Sequence, residues 1–279
     1  MISRVSCRAV SLVALFGVSS ALCAQRAKVP TLEEILERLE ASLNHYDTRL
    51  PSLFCDEEVV SLRTEPGQHD EKTVTESIFR LKRTPNPDHT ATLVESREVK
   101  KVNGKPATSK DIDGPTLLNG AFEGGLAAVS LDQTVCMNYD LQRVDAKRPA
   151  EPYVVRFATV LMPQNRAKCL LKENSKGRAV IDPAAMQITH LELTTPRHTI
   201  VPGSSYRSRI VGARVITVDY APVLLGNETF WMPSTITLRA TSGGGSFHPI
   251  VWTYQATYRN YHKLEVTSHI VPASEVPAP

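Results

Sequence analysis

Gly177-Arg-Ala-Val-Ile-Asp182-Pro183-Ala-Ala-Met-Gln-Ile188-Thr-His-Leu-Glu-Leu193 reads as two short strands joined by a turn. Arg178 to Ile181 is an apolar run, Asp182-Pro183 breaks it, and Met186 to Leu193 leaves the turn with period-two alternation. Ile188, His190 and Glu192 fall on one side of that second run, with Thr189, Leu191 and Leu193 on the other. Alternation of this kind marks a strand with one buried face. A strand that returns across a short turn must run antiparallel to its neighbour.

The same texture extends in both directions. Ala213 to Leu224, Thr229 to Thr241, Ile250 to Arg259 and Leu264 to Val271 follow it, punctuated by Gly226-Asn227, Gly243-Gly-Gly245 and Asn260-Tyr261. Before it come Val59 to Arg63, Thr73 to Lys82, Ala91 to Val102, Cys136 to Gln142 and Tyr153 to Met162. Asn103-Gly104 is a tight-turn dipeptide at the end of the third of these runs. Only Asp111 to Ser130, with Gly114-Pro115, Leu117-Leu118 and Gly124-Gly125, breaks the rhythm, as a short helix or an apolar loop.

Residues 31–46 follow a different period. Leu32, Ile35, Leu36, Leu39, Leu43 and Tyr46 recur every three or four positions, behind a Thr31/Glu34 capping box. Leu50-Pro51 ends the helix. The fold class expected is mainly β with an α+β character: a curved antiparallel sheet or unclosed barrel, with this amphipathic helix packed on it.

The chain begins with Arg4 and Arg8 before an apolar run from Ala9 to Val18, then small residues up to Ala24. That is the anatomy of a secretory signal, too short to span a bilayer, with cleavage expected after Ala24. The expected layout is a signal peptide over 1–24, one β-rich domain over 25–270, and a disordered proline-rich tail over 271–279. No transmembrane segment is expected after cleavage. Losing residues 1–24 removes two of 32 basic residues and none of 29 acidic ones, leaving an excess of one cation. The electrostatic footprint of a nucleic-acid binder is therefore missing.

Cys55, Cys136 and Cys169 remain beyond the signal. Three cysteines in an oxidising compartment allow one bridge, and Cys136 with Cys169, each at the edge of a strand-like run, is the pair expected. Cys55, among apolar neighbours and beside Asp56, reads as a buried, inert thiol.

Catalytic patterns are scarce. The eight histidines (45, 69, 89, 190, 198, 248, 262 and 269) lack ligand spacing, and no HExxH or CxxC occurs. Ser204-Ser205 has no GxSxG around it, and Gly243-Gly-Gly245 lacks the lysine of a phosphate loop. Asp56-Glu57-Glu58 reads as a solvated acidic patch, because consecutive strand residues point to opposite faces. No catalytic residue, metal or cofactor is expected. Phe230 and Trp231 should face opposite sides of the sheet. Trp252, Tyr254 and Tyr258 share one parity, which makes them core if that face is covered and ligand-facing aromatics if it is open.

Two stretches carry a resemblance: the Ile-Asp-Pro strand end at 181–183, and Val218-Asp-Tyr220-Ala-Pro-Val-Leu-Leu-Gly226-Asn-Glu-Thr-Phe-Trp231-Met-Pro233-Ser. Together they resemble the β-meander of outer-membrane lipoprotein carriers (LolA-like) and RseB-like proteins, over roughly residues 177–270. Leu50-Pro51 and Cys55-Asp-Glu near the start, with Tyr258-Arg-Asn-Tyr-His262 near the end, resemble a wider group of exported bacterial proteins. The resemblance implies an unclosed barrel with helices on its concave side and, in the carriers, an apolar cavity for acyl chains.

No carrier binding residue matches a position here, so none is transferred. The function expected is a non-enzymatic periplasmic or secreted protein that binds an apolar or lipid-modified ligand, a lipid or lipoprotein, in a half-barrel cavity. The alternatives are an envelope protein-interaction or sensing module without a cavity, and an extracytoplasmic hydrolase.

Overall fold

The computed structural model describes residues 29–86, 91–108, 128–142, 148, 150–196, 198–199, 210–242 and 249–264. The expected signal segment, the tail and the triple glycine at 243–245 lie outside them, as do Ser204-Ser205 and most of the 111–130 segment.

Helix α1 (Leu32–Arg49) opens on the expected box: the Thr31 hydroxyl accepts from the Glu34 amide at 3.2 Å, and the Glu34 carboxylate accepts from the Thr31 amide at 2.8 Å. It buries Ile35, Leu36, Leu39 and Tyr46. The strands are β1 (Leu53–Thr64), β2 (Glu71–Pro85), β3 (Ala91–Val102), β4 (Lys105–Pro106), β5 (Met137–Leu141), β6 (Tyr153–Thr159) and β7 (Lys176–Asp182). They continue as β8 (Gln187–Thr195), β9 (His198–Thr199), β10 (Ile210–Val211), β11 (Arg214–Leu225), β12 (Glu228–Ser242) and β13 (Ile250–Lys263).

Eleven of these form one antiparallel sheet in the order β4-β3-β2-β1-β13-β12-β11-β8-β7-β6-β5, while β9 and β10 pair separately. The sheet does not close. The chain runs outward from β1 to one edge at β4, restarts at the opposite edge at β5, and returns strand by strand to β13, which seals against β1. Most neighbours are hairpins. The β3–β4 turn places Asn103 at φ 49° and Gly104 at φ 76°, which an Asn-Gly pair supplies at little cost.

Period two then carries one face across the whole sheet. Leu141, Val155, Ala179, Leu191, Val218, Ile236, Ala256, Val59, Thr75 and Val102 stand opposite one another in succession. All but the two end residues of this row are buried. On this inner face α1 packs, together with a 3₁₀ turn at Leu131–Gln133 whose Leu131 amide donates to the Glu40 carboxylate at 3.0 Å. The helix C-terminus is fixed to β2 by Arg83, whose guanidinium donates to the Asp47 and Leu50 carbonyls.

Four bulges bend the ladder, since an extra residue on one strand kinks it and tightens its twist. They correct two sequence expectations. Thr189 is the extra residue between Ile188 (opposite Ile181) and His190 (opposite Val180). Ile188 therefore joins Leu191 and Leu193 in the core, not His190 and Glu192. Asn260-Tyr261 is no turn: β13 runs through it to Lys263, and Asn260, at φ 56°, marks a bulge opposite Cys55.

At Gly177 the Phe157 ring and the Glu192 carbonyl close over the backbone, and an added Cβ would stand 2.4 Å from the ring and 2.2 Å from that oxygen. Gly177→Ala is expected to lower stability by about 1–3 kcal/mol, because a backbone carbonyl cannot swing aside as a side chain does. Chemical denaturation of the two proteins side by side measures it. Equal midpoints would mean that β7 sits further from β8 than described.

Candidate functional site

The expected ligand-facing aromatics lie on the inner face of β13. Tyr254 and Tyr258 are buried; Trp252, nearer the strand end, is half-buried, with the Arg63 guanidinium 5.3 Å from its ring centroid. Tyr258 meets Phe79 edge-on at 5.6 Å. These rings are packed against their neighbours along the row, with Tyr254 opposite Ser61 and Tyr258 opposite Glu57.

Glu57 departs from the expected solvated patch. Asp56 and Glu58 are exposed, but Glu57 has the parity of Cys55 and Val59 and is buried with them. Its carboxylate takes the Arg97 Nε–H at 2.9 Å to each oxygen, and Arg97 Nη1 lies 3.6 Å from Glu95. The side chains of Glu57, Arg97 and Glu95 are 0, 5 and 8% exposed. Arg97 crosses over the Phe79 ring, 4.8 Å from its centroid, to reach two strands away.

Burial pushes the Glu57 carboxyl above its ordinary range, and the Arg97 guanidinium pulls it part of the way back. The cluster fixes register: sliding β3 by one residue would turn Arg97 and Glu95 outward and leave Glu57 alone. Inward-pointing charge on a strand near a sheet edge is also a recognised guard against edge-to-edge pairing. The signal in sequence was a glutamate at core parity between Cys55 and Val59.

Among the described residues a small recess lies between α1 and the sheet. The cavity lined by Leu39, Ser42, Tyr46, Ile188, Phe230 and Trp231 holds about 30 Å³, whereas ligand pockets span roughly 300–1,000 Å³. At its rim His45 stacks on Phe230 with centroids 5.6 Å apart, and Arg49 pairs with Glu228 at 2.6 Å. Phe230 is buried, and Trp231 is partly buried, packed against the core at the same recess. Larger recesses open elsewhere, at about 450 Å³ on the outer face of β5–β8 and about 770 Å³ beside the loop after β6.

That loop belongs to a lobe closed by the expected bridge. Cys136 and Cys169 are disulfide-bonded, with Cα atoms 5.5 Å apart and 33 positions between them in sequence. The Asn165 side chain donates to the Val135 carbonyl at 2.6 Å and accepts from the Met162 amide at 2.8 Å. The Leu170 amide donates to the Gln133 side chain at 3.0 Å. These ties join the segments that carry Val135, Met162 and Leu170, which are 62, 46 and 39% exposed.

Of the other expectations, Cys55 is a buried free thiol whose ionisation burial opposes. His190 Nδ1 and Asp219 meet at 2.6 Å on the outer face, partly exposed. Among the described residues, no helix is long and apolar enough to cross a membrane.

No family model matches the chain, and no curated protein matches it. Among solved structures it is similar to a LolA superfamily protein from Nitrosomonas europaea, 8% identical, the match covering 86% of this chain and 96% of that one with a TM-score of 0.32. It is also similar to a DUF1329 family protein from Desulfovibrio piger, 8% identical over the same shares, at a TM-score of 0.35. MucB of Pseudomonas aeruginosa, solved in complex with MucA, is 11% identical over 80% of this chain and 93% of that one, at 0.20. Similarity at this level carries no inference about activity, and the fold rests on the strand order and register above.

Arg97→Met is expected to destabilise the protein by about 3–5 kcal/mol at pH 8, where Glu57 is left as a buried, unpaired carboxylate. A carboxyl whose folded pKa is raised contributes stability below its unfolded pKa and loses it as pH rises through the folded value. The variant should therefore approach the parent toward pH 5, and adding Glu57→Gln should recover much of the loss at pH 8. Urea midpoints across pH measure this; a pH-independent loss would place Glu57 in water.

Proposed function

We propose that this chain is exported, folds as one β-rich domain over residues 25–270, and acts as a binding module that engages a partner protein of the cell envelope through its surface. The observation that supports it best is the filled inner face. With about 30 Å³ between α1 and the sheet, an acyl chain has no room unless core side chains leave. An apolar or lipid-modified ligand held in a half-barrel cavity is the reading this disfavours. Exposed Val135, Met162 and Leu170, on segments tied together around the disulfide, add support as apolar surface that a partner could cover. The disulfide and the signal-like residues 1–24 support export, because such bridges persist in oxidising compartments.

Native mass spectrometry after export and detergent-free purification tests the reading. The expected species is a bare chain that begins at Gln25 and is two hydrogens lighter than its reduced form. Lipid retained near one per chain, and released by solvent extraction, would contradict it and favour a carrier. An intact residue 1 would contradict signal cleavage.

A further inference from the structure

The recess beside the disulfide lobe combines two features that a partner segment would have to match. Its walls are apolar at Leu161, Met162, Pro163 and Pro196, and cationic at Arg166 and Lys172, over a volume of about 770 Å³. Arg166 Nη2 donates to the Lys172 carbonyl at 3.0 Å, while Lys172 Nζ donates to the Arg166 and Ala167 carbonyls at 3.1 and 2.7 Å. Each cation is thus anchored on backbone oxygens at or beside the other residue, which do not cancel its charge. Among the described residues neither forms an ion pair, and Glu173, the acid of the recess, is engaged by Arg214 at 3.3 Å. Guanidinium and ammonium groups also keep donors to spare after these bonds.

From this we infer that the recess binds an acidic segment of the partner protein, with apolar residues flanking its carboxylates. The inference rests on the protein-binding reading above and names the partner's chemistry. The carboxylates meet Arg166 and Lys172 as charge-assisted hydrogen bonds, and the flanking apolar residues cover Met162 and Leu161. Concavity selects a chain segment over an anionic bilayer, which would meet protruding rather than recessed side chains. The Cys136–Cys169 bridge and Asn165 hold the walls in place before binding, so little ordering is left to do on contact.

The test is selection from a phage-displayed random dodecamer library on the exported chain. Selected peptides are then titrated against the parent, Arg166→Glu/Lys172→Glu and Met162→Ser, with thermal melts to show that each variant folds. The expected result is enrichment of Asp/Glu next to apolar residues, and binding weakened roughly tenfold or more by the charge reversal and by raised salt. Peptides that bind the charge-reversed protein equally well would overturn this site and leave the protein-binding reading standing. Capture of phosphatidylglycerol vesicles by the parent, lost on charge reversal and with no peptide selected, would overturn both in favour of a membrane surface. Neither peptides nor vesicles bound would also overturn the site.

Discussion

One largely apolar inner face, carried in register across ten strands of an eleven-stranded sheet, sets the terms for everything else in this protein. At the usual strand spacing such a sheet is about 48 Å across. The 18 residues of α1 make a rod of about 27 Å. A single helix cannot cover that face. The difference is made up by curling the sheet at four bulges, by laying the 3₁₀ turn beside the helix, and by filling the half around β1, β2 and β13 with Phe79, Tyr254 and Tyr258. The Glu57–Arg97–Glu95 cluster sits within that half because a long guanidinium spans strands, and its charge is tolerable there only when paired.

Much of this was legible residue by residue, and what was not has a physical reason. Alternation and turn dipeptides located the hairpins, and the capping box located α1, because these signals are local. The β1–β13 seal joins residues about two hundred positions apart, and nothing in either strand announces the other. Bulges at Thr189 and Asn260 add one residue without changing composition, so a strict period of two mis-assigned Ile188 and read a turn inside β13. Glu57 was misjudged because charge was weighed above parity. The buried Tyr254 and Tyr258 followed from parity, whereas whether their face was open depended on packing that sequence does not encode locally.

The same economy shapes the surface. Among the described residues the inner face is packed largely with the chain's own side chains, and the larger recesses open on the outside. There the disulfide does for the 133–172 lobe what the sheet cannot, since the loop after β6 has little regular backbone pairing to hold Met162 and Leu170 in place. Closing a loop of that length is worth about 3–4 kcal/mol in the chain-entropy picture. The helix, the ion cluster and the bridge therefore divide the work: the first two close the interior, and the third presents a surface.

A crystal structure of the protein, purified without detergent, examines the space between α1, β8 and β12 most directly. The expected result is density for one or two waters at most, with Leu39, Tyr46, Ile188 and Phe230 packed across the gap. A continuous tube of density of acyl length, with those side chains displaced, would contradict a filled inner face and restore a carrier.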